Sequence, residues 1–481
     1  MPNPTLLPPD HPDRVSLAAE VHARPPERLA TPSRASYVAV RIDDPARAAE
    51  QAHIATLCRH FGVAPPAVGG TQWAGTLGSL RFKWERHGEF SSYTFFAPGA
   101  GPAPFTEPVV TRLPPGWLGA VPGLTVFAVH ARLASAADLG ADLRDDQRVD
   151  PRDDQRVHQH VDPRDPSADD RQDDAGNNTS PSTEQLAAHF GTNVVVGVGI
   201  GDGTGLAFTD FVIHDDGFAR FLLIDRDMTA RQAGRMLQRL FEIEAYRMMA
   251  LLALPLARGL WPRLQQIEHT LAQLTARIAN NAQPLAGHDE ALLHELMALA
   301  AEIESALAGS QARFGASRAY HALVTTRIAE LREQRIQGLQ TIAEFMSRRL
   351  SPAMATCATV SQRLHDLSER VAQASSLLST RVDIARQRQN QALLTATARR
   401  AQLQLRLQQT VEGLSVAAIV YYLAGLVGYG AKALKAAGAP LSPDLVTGAA
   451  VPLLAAGAWW VLRRVHQRVA RDDAQDSRRD T

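Results

Sequence analysis

Two long uncharged segments near the C-terminus constrain this chain more than any other feature. The first, 413–431, reads GLSVAAIVYYLAGLVGYGA and has 19 residues, and the second, 445–462, reads LVTGAAVPLLAAGAWWVL and has 18. Helices of this length are roughly 27 to 29 Å long and match the hydrocarbon core of a bilayer. We therefore expect transmembrane helices at 413–434 and 445–463, joined by an external loop at 435–444. The alternative is a buried hairpin in a soluble bundle.

Basic residues outside the two segments predict their orientation. Three arginines precede the first segment at 399–406 and four follow the second at 463–471, whereas the residues between the two uncharged segments include two lysines, Lys432 and Lys435, and one aspartate, Asp444. The positive-inside rule places both termini, including the tail 464–481, in the cytoplasm. The N-terminus MPNPTLLPPDHPDR lacks a basic segment followed by an apolar one, so no cleaved signal peptide is expected. The expected location is the bacterial inner membrane, as a multi-pass protein.

Length and charge limit the remaining classes. The chain has 481 residues, enough for two or three domains, and its 50 basic residues balance 50 acidic ones. A balanced charge argues against a protein that coats nucleic acid, since that affinity comes mostly from an excess of lysine and arginine. The two cysteines, Cys58 and Cys357, cannot form a disulfide framework or a cysteine-rich metal site.

The region before the membrane segments changes character three times. Residues 1–137 form an N-terminal α+β part, with strand-like runs at 35–42, 79–87, 89–97 and 123–133 and a helix at 45–61. Residues 138–182 form a charged, proline-punctuated insertion, in which DDQRV occurs twice, and we expect it to be disordered. Residues 183–228 continue the α+β domain with three short strands, and the glycines at every second position of 197–205 predict close packing or a hairpin.

The sequence pattern of residues 229–412 predicts long helices. Apolar residues recur there at spacings of three and four, as in coiled coils, with a break near Pro352, and an arginine-rich stalk leads into the first membrane segment. The predicted fold is therefore an α+β cytosolic domain followed by a long α-helical stalk and a C-terminal two-helix transmembrane hairpin.

Four blocks of sequence resemble a known family. LAAEVHARP at 17–25, LRFKWERHGEFSSYTFF at 80–96, the block 210–257 that begins DFVIHDDGFARF, and TVEGLSVAAIVYYLAGLVGYGAKAL at 410–434 are similar to the bacterial membrane-anchored family called domain of unknown function 3422. The resemblance covers nearly all of the chain outside 138–182. It implies no particular activity.

The order of segments also resembles the CorA-type magnesium transporters, in which a Tyr-Gly-Met-Asn motif closes the first span and forms the ion entrance of a pentamer. Gly428, Tyr429 and Gly430 stand at the corresponding place, followed by Ala431 and Lys432. The missing amide removes an oxygen ligand for a hydrated divalent cation, and the lysine adds positive charge. The pore candidates of this CorA-like layout are Gly428, Tyr429, Gly430 and Lys432.

The motif EVHARP contains the catalytic candidates Glu20, His22 and Arg24. A carboxylate, an imidazole and a guanidinium within five residues suit a clamp for phosphate or carboxylate with a general base. The alternative is that they tie the N-terminal segment to the domain through buried polar bonds. The sequence contains no G-x-S-x-G, H-E-x-x-H or P-loop motif, so we expect that the chain is not an enzyme.

The metal-ligand candidates are Glu85, His87 and Glu89 in WERHGEF. Positions 85 and 87 share one face of a predicted strand, whereas Gly88 interrupts the strand before Glu89. No cofactor is predicted, and a divalent cation follows only from the transport alternative.

These features predict a membrane-anchored, noncatalytic cytosolic module for sensing or assembly. Its expected partners are the lipid bilayer and further copies of itself, since small residues give the first span faces for helix contact. Nucleic acid is not expected. The alternatives are an oligomeric CorA-like ion channel or transporter and a membrane-tethered enzyme that uses the EVHARP cluster.

Overall fold

The chain forms two compact units. The computed structural model describes residues 11–14, 17–18, 25–100, 105, 107–135, 137–138, 181–280, 288–436 and 442–476, with the backbone alone at 462 and 465–476. The first unit contains residues 1–277 and 294–374, and the second contains 278–293 and 375–481. The predicted insertion at 138–182 lies outside the described residues except at its two ends.

One mixed sheet organises the first unit. Across the described residues the strand order is β2-β3-β4-β1-β5-β8-β7-β6-β9; β5 and β8 run parallel, and the other neighbours are antiparallel. The α+β class and the strands expected before 228 are confirmed, whereas β2 and β9 are additions. The strands are β1 (Ser33–Arg41), β2 (Gln72–Leu77), β3 (Leu80–Arg86), β4 (Phe90–Pro98), β5 (Leu124–Ser135), β6 (Val196–Ile200), β7 (Gly205–Thr209), β8 (Ala219–Asp225) and β9 (Gln334–Arg335).

The helices include the one expected at 45–61 and the long ones expected after 229. Capping boxes at Ser182, Thr229 and Thr341 satisfy the first backbone N–H groups of α2, α3 and α6. The helices are α1 (Arg47–His60), α2 (Thr183–Phe190), α3 (Ala230–Leu251), α4 (Ala253–Asn280), α5 (His288–Leu331), α6 (Ile342–Arg349), α7 (Ser351–Ala436) and α8 (Pro443–Asp476).

Alternation along the strands gives the sheet two differently covered faces. One face carries Phe82, Trp84 and Phe95, which pack in one core with residues of α1, and farther along the sheet it carries Phe208, which packs in a second core with residues of α2. The opposite face packs on α3, where the ring of Tyr37 lies 4.8 Å from that of Phe241. The sheet is therefore a central layer between helices.

The alternating glycines form the hairpin between β6 and β7. Asp202 and Gly203 have positive φ angles of 61° and 87° at its turn. A Cβ on Gly197 would lie 2.6 Å from the Leu339 side chain, and one on Gly199 would lie 3.1 Å from the Cβ of Gln334. Both expectations, close packing and a hairpin, are thus confirmed.

Helices of the first unit continue beyond the sheet. Buried leucine and isoleucine residues follow the helical period along α4, as at Leu264, Ile267, Leu271 and Leu274. The chain leaves α5 at Leu331 to form β9, and α6 then ends at Arg349. The break expected near Pro352 is confirmed, because that proline lies in the first turn of α7.

The second unit contains both apolar segments in helices. The end of α7 and the start of α8 are long and apolar enough to cross a membrane; 6% of the apolar window in α7 and 0% of that in α8 is buried. A core helix of a soluble protein would be mostly buried. Gly428 lies close to Thr447 of α8, since a Cβ there would be 3.1 Å from the threonine hydroxyl oxygen.

Candidate functional site

Residues 25–30, here called the strap, cross the start of α3 before β1 begins. The amide of Leu29 donates to the carbonyl of Ala230 at 3.0 Å. The Lys83 ammonium donates to the carbonyl of Pro25 at 2.9 Å. Gly234 makes the crossing possible, because a Cβ at this position would lie 1.6 Å from the carbonyl oxygen of residue 27. Residues 20–24 of the EVHARP motif, which include Glu20, His22 and Arg24, directly precede the strap and lie outside the described residues.

A small polar cavity lies between the strap, α3 and the sheet. Its volume of about 30 Å³ accommodates about one water molecule. The charged and polar side chains that line it come from the strap, β1, β3, the β3–β4 turn, β4 and α3. They include Glu27, Lys83, Glu85, His87, Gln238 and Glu242.

A buried ion pair forms the sheet side of the cavity. Lys83 and Glu85 are two apart on β3 and therefore share a face; each is 7% exposed, and their charged atoms are 2.9 Å apart. Burial raises the pKa of the neighbouring Tyr37 well above its ordinary value, and the charges of Tyr246 and Glu85 add to this effect. The phenol of Tyr37 thus stays protonated and cannot serve as a base at neutral pH.

The helix side of the cavity is held by a second charged network. The amide of Gln238 donates to Glu242 at 2.8 Å. Arg327 of α5 forms ion pairs with Glu242 and with Glu330. Burial raises the pKa of Tyr246, and the negative charge of Glu242 raises it further. These contacts fix α3 against α5 next to the cavity.

The structure brings two of the three metal-ligand candidates together. Glu85 and His87 line the same cavity, whereas Glu89 points to α5 and forms an ion pair with Arg313 at 3.0 Å. The ring of His87 stacks on Phe90 at 4.3 Å. In the described ranges no group of three or more histidine, cysteine, aspartate or glutamate residues is placed to hold a metal ion.

The cavity also contains a serine next to a histidine. The Oγ of Ser92 lies 3.3 Å from the Nε2 of His87, just beyond the roughly 2.6 to 3.2 Å that separate a nucleophile from its base. Ser92 is 1% exposed, however, and the cavity accommodates about one water molecule, so a substrate carbonyl has no approach to the hydroxyl. The geometry suits a structural water and leaves no room for a substrate.

The pore candidates lie together near the end of α7. Tyr429 is 75% exposed, and the Lys432 ammonium lies 6.0 Å from the centre of its ring. Gly428 faces Thr447 of α8, whereas a Cβ on Gly430 would meet nothing within 4 Å. The positive charge of Lys432 therefore lies next to Tyr429, the tyrosine that would form the cation entrance in a CorA-like channel.

A second polar group, on the opposite face of the sheet, is missing from the sequence analysis. It lies between the two apolar cores, and its members come from β1, β5, β8 and α2. The sequence does contain an indication of this group. A histidine and an arginine lie two positions apart inside an otherwise apolar strand, and strand alternation places such residues on one face of the sheet. The group consists of Arg34, Ser36, His130, Arg132, His189 and Arg220.

Comparison with known proteins places the chain in a family without assigning it an activity. Neither the curated proteins nor the solved structures give a match. A family model described as "Protein of unknown function (DUF3422)" matches residues 9–469, which is nearly the whole length. The chain therefore belongs to the DUF3422 family.

Proposed function

We propose that this protein is a membrane-anchored, noncatalytic module that senses a ligand or organises an assembly at the cytoplasmic side of a bacterial inner membrane. Two spans near the C-terminus anchor it, with both termini inside. The α+β unit carries the binding surfaces. The observation that carries the proposal is the exposure of the two apolar helix windows, of which 6% and 0% is buried.

Large apolar side chains on these helices support a lipid environment. Leu414, Leu426, Leu445 and Leu453 are between 66% and 76% exposed. Fully exposing a leucine side chain to water costs about 1.5 to 3 kcal/mol relative to burying it, and lipid removes this cost. Surfaces of this kind on soluble monomers are rare and mark contacts with membranes or other proteins.

The end of α8 supports a position at the membrane interface. The guanidinium of Arg463 lies 5.0 Å from the ring of Trp459, and that of Arg464 lies 4.8 Å from the ring of Trp460. Tryptophan is enriched at the headgroup level, and arginine is enriched in the cytoplasmic flanks of spans. This arrangement suits a second span that ends on the cytoplasmic side.

The open faces of the first span support the proposal of an oligomer. A Cβ added at Gly413, Gly425 or Gly430 would meet nothing within 4 Å, so small-residue surfaces of α7 are free to approach another helix. Close backbone approach at such residues drives helix association in membranes. We therefore expect the detergent-solubilised protein to be a homo-oligomer, and a monomer at every concentration would contradict this part of the proposal.

Cysteine labelling tests the topology directly. Cys58 and Cys357 are 0% and 4% exposed, which keeps background labelling low. Ser442→Cys, at the exposed start of α8, is expected to react with a membrane-impermeant maleimide in intact spheroplasts. Arg59→Cys, on the exposed surface of α1, is expected to react only after lysis. Labelling of both variants in intact spheroplasts, or of neither after lysis, would contradict the proposal.

The CorA-like alternative is tested by ion flux. The alternative predicts that the protein in liposomes conducts a divalent cation and that Tyr429→Ala changes the flux. Lys432→Asn would increase the flux if the lysine charge repels cations at the entrance. We expect no flux from the wild-type protein. The Lys432 ammonium lies 6.0 Å from the Tyr429 ring centre, and its positive charge there would repel a cation at the entrance. A cation flux that these variants alter would favour the channel.

A further inference from the structure

A pocket opens between the middle of α5 and the first turns of α7, within the first unit. Its volume is about 310 Å³, at the lower end of the range that small-molecule sites occupy. The cavity under the strap, in comparison, has a volume of about 30 Å³. At about 30 Å³ for each water-sized group, the larger pocket accommodates a ligand of about ten non-hydrogen atoms.

Buried apolar side chains form the floor of this pocket. Phe314 of α5 is 2% exposed, and Met354 and Cys357 of α7 are 8% and 4% exposed. Ser317 lies among them, but its hydroxyl already donates to the carbonyl of Ala250 at 2.8 Å and contacts the sulfur of Met354 at 3.3 Å. The floor therefore suits an apolar group, and the flexible methionine can adapt to its shape.

The rim of the pocket contains basic side chains. Arg318 and His321 are three positions apart on α5, so they are neighbours on one face of the helix, and both line the pocket. Arg318 is exposed, and a Cβ on Gly315 would lie 4.0 Å from its Nη2, which places the guanidinium over the preceding turn. In the part of the chain that the structure describes, no carboxylate forms an ion pair with Arg318.

The sequences of the two helices explain why Arg318 has no acidic partner. Helix α5 contains no aspartate or glutamate at 305–329, and α7 contains none at 351–365. Arg313 belongs to the same stretch of α5, but its charge is matched by Glu89 of the sheet domain at 3.0 Å. None of the residues that line the pocket in the described chain is acidic. The charge of Arg318 is therefore available to an anion at the rim.

We propose that this pocket binds a small amphipathic monocarboxylate, with its apolar chain on the floor and its carboxylate at Arg318 and His321. One guanidinium presents a pair of donors that fits the two oxygens of a carboxylate and matches its single charge. Burial of the chain against Phe314 and Met354 supplies the affinity that one exposed ion pair lacks. The proposal names a ligand class for the sensing role and rests on that role for its biological meaning.

Equilibrium dialysis with radiolabelled octanoate tests the pocket on the full-length protein in nanodiscs, with empty nanodiscs as the reference. We expect the wild-type protein to bind about one octanoate per chain. Arg318→Gln removes the charged donors and should weaken binding about tenfold or more. Arg318→Lys keeps the charge and loses the paired donors, so its affinity should lie between the two. Ala358→Trp fills the pocket from an exposed position of α7 and should abolish binding.

Matched controls separate the pocket from general attraction to charge or to lipid. Arg370→Gln removes the same charge from an exposed position of α7 that does not line the pocket, and it should bind octanoate as the wild type does. Acetate lacks the apolar chain and octanol lacks the charge, so each should compete with octanoate about tenfold more weakly or worse than unlabelled octanoate does. This comparison of ligands needs no variant.

Four results would overturn the proposal. They are no octanoate binding above that of empty nanodiscs, equal binding by Arg318→Gln and Arg370→Gln, binding that Ala358→Trp leaves unchanged, and competition by acetate as strong as that by octanoate. If octanoate does not bind and Ala358→Trp dissociates the oligomer, a second copy of the chain occupies the pocket instead. Protein that leaves the membrane without detergent is dialysed in buffer alone, so the pocket and the anchor can fail separately.

Discussion

Gly234→Ala tests how the strap is held against the sheet domain. The helical backbone accepts alanine, but the new Cβ would lie 1.6 Å from the carbonyl oxygen of residue 27. This oxygen belongs to the backbone, so a side-chain rotation cannot relieve the overlap. The strap must move away from α3, and we expect it to be released from the helix.

The contacts that hold the strap give the size of the expected loss of free energy. Leu29 is 6% exposed, and its burial is worth about 2 kcal/mol. Its amide bond to Ala230 contributes about 1 kcal/mol, and the bond from the Lys83 ammonium to Pro25 contributes about 2 kcal/mol. Alanine regains about 1 kcal/mol of helix propensity. The free energy that keeps the strap closed should therefore fall by about 4 kcal/mol.

Hydrogen exchange at the Leu29 amide measures this change, and chemical denaturation measures global stability. Gly259→Ala is the matched control, since this helical glycine of α4 is exposed and a Cβ there meets nothing within 4 Å. The control variant should gain about 1 kcal/mol in its free energy of unfolding, and its Leu29 amide should stay protected from hydrogen exchange. If Gly234→Ala behaves as the control does, the strap is not held as described.

Three further predictions concern buried polar groups. Glu50 is 1% exposed and accepts from Trp84 at 2.8 Å, so Glu50→Ala should cost about 3 to 5 kcal/mol in a denaturation experiment. Burial lowers the pKa of His130 to about 4. As the pH falls, the unfolded chain therefore binds a proton at this histidine before the folded chain does. About 3 kcal/mol of the free energy of unfolding, present above pH 6.5, should be lost as the pH falls towards 4. The His130→Asn variant should lack this pH-dependent loss. Burial raises the pKa of Cys58 and of Cys357, so both thiols should react with maleimide only after denaturation.

Local sequence patterns predicted most of the strands and helices. Strand β4 could be predicted because its apolar and aromatic residues follow the glycine break at Gly88, and α1 could be predicted from its length and composition. Strand β2 was missed because Ala74 and Gly75 interrupt its pattern. Strand β9 has only two residues, and its pairing with β6 joins Gln334 to Gly199, a contact that no local pattern reports.

The site was only partly predictable for the same reason. A compact motif identified Glu85 and His87, which do share a cavity. Arg34 and Arg132 stand nearly a hundred positions apart, each inside an apolar strand, and only the register of β1 against β5 brings them together. The predictions for the insertion, apart from its two ends, and for Glu20, His22 and Arg24 stay predictions, since these residues lie outside the described part of the chain.

The membrane anchor is the central claim, and alkaline carbonate extraction of cell membranes tests it most directly. Carbonate releases peripheral proteins, whereas proteins with transmembrane helices stay with the lipid because their apolar surface has no aqueous alternative. We expect the full-length protein to stay in the membrane pellet and to need detergent for release. Recovery of the intact protein in the carbonate supernatant would contradict the account.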